Sequence, residues 1–175
     1  MRYLLLAVMY AAVLAITVAP VHSATPDRMA PLGFYVGTWS CVDGPIGRGT
    51  HKGTWTFEMR SGVMFESIII PKQRDVPYPS VTNATFAFDQ KNNRYVETEM
   101  DNTAAWYVSV AKPDWKNVIS WKDIASWTQL SHWDMARLDL NHFMVVAYPT
   151  ATAIRPNYKG VCKRVAGSSG PVSKR

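Results

Sequence analysis

A chain of 175 residues, 47% hydrophobic and 18% charged, has room for one domain with a core of its own and not for two of ordinary size. Two cysteines exclude a disulfide-stapled miniprotein and a cysteine-ligated zinc site. The formal charge of +6 comes from scattered basic residues with no aromatic-interleaved stripe, so nucleic acid is not an expected partner; an acidic ligand or an anionic envelope surface is compatible with it.

The first predicted element is a targeting segment. Arg2 precedes an uncharged, mostly apolar run from Leu4 to Ala19, and Val21-His22-Ser23 ends on a small residue. That order predicts a signal peptide over residues 1–23, the alternative being an uncleaved anchor. The mature protein is then secreted or periplasmic, with no stable membrane insertion after cleavage. Export and two cysteines predict an internal bridge between Cys41 and Cys162, against the alternatives of two free thiols or an intermolecular bond.

From there period-two patterning dominates, and residues 24–165 are expected to form one all-β domain. An opening strand is expected over Phe34–Val42, followed by strands over Gly49–Met59, Gly62–Ile70, Val81–Asp89, Arg94–Asp101 and Ala104–Ala111. Asn117–Lys122, Trp133–Leu140, His142–Tyr148 and Tyr158–Val165 complete the set. Gly44–Gly49 reads as the first interstrand loop. Pro71–Pro79 carries three prolines and reads as a loop at a rim, and Lys122–Ser131 as a short helix or turn. Residues 166–175 lack an apolar face and are expected to be a disordered tail. About ten strands with mainly short links favour an antiparallel up-and-down barrel, which closes its exposed edges.

If the two cysteines face each other on antiparallel first and last strands, Trp39 comes opposite Arg164 and Gly37 near Ala166. A guanidinium on an indole gains roughly 0.5–2 kcal/mol, and Gly37 permits a close crossing. The stretch Phe34-Tyr35-Val36-Gly37-Thr38-Trp39 resembles the G-x-W signature of the lipocalin-like (calycin) barrels, and Arg164 is similar to the basic residue that packs on that tryptophan. With the Phe88–Tyr95 hairpin and the closing Tyr158-Lys159-Gly160-Val161-Cys162 strand, the chain from Leu32 to Arg164 resembles a bacterial secreted lipocalin-like domain family of unknown function. The resemblance implies a barrel with one plugged end and one open end, often holding an apolar ligand. Gly37, Trp39 and Arg164 are its structural residues.

For the site, Phe65, Phe86, Phe88, Trp106, Val108, Phe143 and Val145 occupy period-two positions and are expected to line a cavity. Glu66 alternates with Met64, Ile68 and Ile70, so it is either a buried carboxylate that orients a ligand or a rim residue. Glu97 and Glu99 share a face with Tyr95 and read as the solvated side of a strand. Trp115, Trp121, Trp127 and Trp133 recur every six residues, which reads as ordinary barrel packing rather than an aromatic wall. No metal-ligand spacing and no nucleophile elbow occurs, so no metal, catalytic residue or cofactor is expected. Haem would need an axial ligand from His51, His132 or His142. The expected function is binding of a small, largely apolar ligand in the barrel. The competing readings are an envelope protein or inhibitor acting through its outer surface, an enzyme using Glu66, Tyr95 or Glu97, and haem binding.

Overall fold

The computed structural model describes residues 27–168, so the signal peptide expected over residues 1–23 and the tail beyond Ser168 lie outside the described residues. A 3₁₀ turn over Ala30–Phe34 leads into ten strands. They are β1 (Gly37–Pro45), β2 (His51–Arg60), β3 (Val63–Ile70), β4 (Ser80–Asp89) and β5 (Arg94–Asp101), then β6 (Trp106–Ala111), β7 (Val118–Ser126), β8 (His132–Arg137), β9 (His142–Tyr148) and β10 (Tyr158–Arg164). Each pairs antiparallel with the next and β1 closes on β10, giving an up-and-down barrel. Tight hairpins set much of the register. Between β2 and β3, Ser61 and Gly62 both take positive φ (49° and 77°), the twist-matched two-residue turn, and Arg60 faces Val63.

Two local expectations are corrected. Phe34 and Tyr35 belong to the 3₁₀ turn and its cap rather than to the opening strand, because Pro31 starts that turn and Tyr35 has helical dihedrals. Lys122–Ser131 is neither helix nor isolated turn at its start, since β7 runs on to Ser126 in register with β6. A bulge at Val108/Ser109 absorbs the mismatch there.

The seam is fastened by the Cys41–Cys162 disulfide, which spans 121 residues of chain. In the chain-entropy account a loop of that size contributes on the order of 4–5 kcal/mol. Trp39 stands opposite Arg164. The guanidinium lies 4.0 Å from the indole centroid and donates to the Val36 and Phe34 carbonyls at 2.8 and 2.6 Å, while the Trp39 indole N–H donates to Tyr35 O at 2.7 Å. Gly37 has φ 124°, and a Cβ there would overlap the Ser168 carbonyl oxygen and the Arg164 guanidinium. Ala166–Ser168 thus turn back across this end, with Ser168 Oγ donating to Thr38 O at 3.0 Å.

The interior has two halves. At the end carrying the 3₁₀ turn, inward aromatic side chains fill the barrel: Trp39 meets Phe143 edge-on at 4.7 Å and Phe86 meets Trp121 at 5.3 Å. Leu32 and Tyr35 of the plug are buried against them. The opposite end is built differently and holds the candidate site.

Candidate functional site

Side chains in a strand alternate between faces, so one inward residue fixes its whole set and hairpin pairing carries the assignment to the next strand. From Trp39 the inward series runs through Trp55 to Ile68 and Thr82 in one row, and through Phe57 to Glu66, Ala84, Glu99 and Tyr107 in the next. A third row joins Met64, Phe86, Glu97, Ser109 and Asp123. Small residues therefore stand between long ones: Ala84 separates Glu66 from Glu99, and Ser109 separates Glu97 from Asp123. On the far wall Ala147 sits between Trp133 and Tyr158. The space these small residues leave is a cavity of about 350 Å³ in the open half, with Trp55, Ile68, Val145 and Trp133 as its apolar walls. That volume is within the range of small-molecule sites.

Its polar equipment is unusual. Among the described residues, the buried Asp, Glu, Lys, Arg and His side chains are Asp43, Glu66, Glu97 and Asp123, all acids. Glu99 joins Glu66, Glu97 and Asp123 around the cavity, and no lysine, arginine or histidine lines it. The ion pairs among the described residues, Arg60–Glu58, Arg94–Asp89 and His142–Asp139, involve none of these groups. At the plugged end, Arg164 covers Trp39 and Arg137 covers Phe34 at 4.6 Å.

The acids differ in their fixings. Asp123 accepts from Ser109 Oγ at 2.7 Å and from the Ser131 backbone N–H and hydroxyl at 2.9 and 2.6 Å. Glu97 is 2% exposed and its Oε1 has no hydrogen-bond partner. Burial first, then the charges of Glu99, Glu66 and Asp123, push its pKa well above the ordinary carboxyl range. Burial and Glu99 do the same to Glu66. Glu99, nearer the mouth, is pushed up to about 7 by burial and by Asp101 and Asp123. At neutral pH Glu99 is therefore about half ionised.

The sequence-predicted site is split by the structure. Glu66 and Val145 line the cavity. Phe86 and Phe143, both fully buried, fill the plugged half instead, and Phe88 packs on Tyr95 at 5.3 Å beside that core. Phe65, Trp106 and Val108 are corrected outright: they point away from the interior and line an outer groove with Met100 and Thr85. Parity explains this, because Glu66, Tyr107 and Ser109 are their inward neighbours. The solvated-face reading of Glu97 and Glu99 fails for the same reason. Pairing of Phe86 with Glu97 across the Asp89–Arg94 hairpin places both on one face, so an inward Phe86 carries Glu97 inward with it. Asp123 was hidden inside the stretch read as a turn. Of the periodic tryptophans, Trp133 lines the cavity and stacks on Trp121 at 5.4 Å and 13°, whereas Trp127 is exposed. His132 stacks on Tyr148 and His142 contacts Asp139 outside the cavity, while His51, opposite the inward Asp43, stands at the mouth beyond the cavity lining.

No group of His, Cys, Asp and Glu among the described residues is placed to hold a metal ion. No protein-family model matches the chain, and no curated protein matches it. Solved structures similar to it include two at low sequence identity. One is a redesigned β-barrel, 13% identical, with 79% of this chain and 96% of that chain covered at a TM-score of 0.43. Another is EF1p2_mFAP2b bound to DFHBI, 16% identical, with 79% and 98% covered at a TM-score of 0.39.

Proposed function

We propose that this is an exported binding barrel that holds one small molecule with a flat, largely apolar body in its open half. The observation that carries the reading is the roofless cavity of about 350 Å³ between Trp55, Trp133, Ile68 and Val145, set above a plugged and fully packed end. A barrel that only had to be stable gains nothing from leaving this space, since unfilled volume forfeits packing energy. The disulfide supports export. Outward positions such as Lys52, Glu58, Lys122, Lys159 and Lys163 support an outer wall that faces water rather than lipid.

Titration with a neutral naphthalene probe tests this. Wild type is expected to bind with micromolar affinity, about −8 kcal/mol. Ala147→Phe, which grows a ring into the cavity between Trp133 and Tyr158, is expected to abolish binding, and Trp106→Ala to leave it unchanged. The converse pattern would move the function to the outer groove, where Phe65, Met100 and Trp106 are 41%, 56% and 38% exposed. That is the second reading, of a protein that acts through its outer surface.

A further inference from the structure

We propose that the ligand of this cavity is an organic cation, an ammonium or amidinium group carried on an apolar or aromatic body. The inference rests on the binding reading above and specifies the class of molecule.

Charge accounting is its first support. Although the chain has net charge +6, the buried Asp, Glu, Lys, Arg and His side chains among its described residues are all carboxylates, and the cavity has no basic residue in its lining. The second support is independent of that cluster's composition. Glu97 lines the cavity, is 2% exposed, and its Oε1 has no hydrogen-bond partner. A buried acceptor left without a partner costs about 1–3 kcal/mol, and a ligand N–H or a cationic methyl edge would remove that cost.

The arrangement of the acids favours an organic cation over a metal. Glu66 and Glu99 lie two strands apart, as do Glu97 and Asp123, so each pair is separated at the backbone by about 9–10 Å. No group of acids among the described residues is placed to hold one metal ion, and Glu66, Glu97, Glu99 and Asp123 instead stand around a cavity with room for a substituted ammonium. Trp55 and Trp133, with the phenols of Tyr107 and Tyr158, supply the aromatic faces on which such cations rest.

The charge of the site varies with pH. Facing the cavity or its mouth are Asp43 and His51 from β1 and β2, Glu66 from β3, and Glu97, Glu99 and Asp101 from β5. Tyr107 of β6, Asp123 of β7 and Tyr158 of β10 complete the ring. As Glu99 ionises, attraction for a permanent cation rises.

The probes are benzyltrimethylammonium, which cannot titrate, and its neutral carbon isostere neopentylbenzene, each titrated calorimetrically into wild type, Glu97→Gln and Glu99→Gln at pH 5.5 and 8. The cation is expected to bind wild type at least about tenfold more tightly than the isostere at pH 8, with the preference shrinking at pH 5.5. Each glutamine variant, with its fold checked by circular dichroism, is expected to lose most of that preference while still binding the neutral probe. Equal or tighter binding of the isostere by wild type overturns the cation while leaving the binding cavity standing. Binding of neither compound, together with no difference between wild type and Ala147→Phe toward the naphthalene probe, overturns both.

Discussion

Stability of the unliganded barrel should fall as the pH rises from 5 to 8, and the Glu99→Gln variant should abolish much of that fall. Glu99 is an ordinary 4.5 carboxyl raised to about 7 in the folded protein. A folded-state pKa above the unfolded one means that the native state holds the proton more tightly, so the stabilisation is complete below about pH 4.5 and is lost as pH passes through 7. Full conversion gives about 3 kcal/mol; screening at the mouth reduces the expectation to about 2 kcal/mol. Glu66, Glu97 and Asp43 are raised as well, so they act in the same direction and none offsets it. The lowered carboxyls, Asp89 and Asp139, lose their contribution only at acid pH and fall outside the window. Urea denaturation at half-unit pH steps reads the effect directly. Stability that is flat or rising between pH 5 and 8 in wild type, or a Glu99→Gln profile as steep as wild type, would refute the assignment of Glu99 to the confined interior.

At the plugged end, Arg164→Ala removes a guanidinium that covers Trp39 and binds two carbonyls, and is expected to lower stability by about 1–3 kcal/mol in urea melts. Phe143→Ala should cost about 3–5 kcal/mol, because Phe143 is fully buried among Trp39, Tyr35 and Phe57, while Trp106→Ala on the outer wall should cost less than about 1 kcal/mol. Reduction of Cys41–Cys162 should lower the urea midpoint by the equivalent of about 2–4 kcal/mol, and thiol titration of the unfolded, unreduced protein should find no free sulfhydryl.

The barrel and its seam were legible because short-range rules and one long-range constraint agreed. Period-two runs separated by Ser61-Gly62 and Asp89–Asn93 define hairpins, and the pair Cys41–Cys162 closes the ends. The strand limits of Arg94–Asp101 and His142–Tyr148 are those expected. The cavity was less legible, since each strand alone offers two faces and both faces of β3 and β6 carry large apolar residues. Phe65 and Trp106 look like lining residues until the register is carried through from Trp39, which turns them outward and brings in Glu66 and Tyr107. The inward placement of Glu97, Glu99 and Asp123, unlike that of Glu66, was hidden for a related reason. A carboxylate on a strand is ordinarily at the surface, and only the pairing of Glu97 with Phe86 and of Ser109 with Asp123 reveals an inward row. Asp123 depended further on β7 running past Lys122, which the bulge at Val108/Ser109 permits and which no local pattern announces.

Native mass spectrometry of the protein purified from its own host, beside Ala147→Phe and Trp106→Ala prepared in the same way, tests most directly whether the open half of the barrel is a ligand site. The account predicts a single small-molecule adduct on wild type and on Trp106→Ala, and the bare mass for Ala147→Phe. An adduct that Ala147→Phe retains and Trp106→Ala loses would contradict it, placing the ligand on the outer wall.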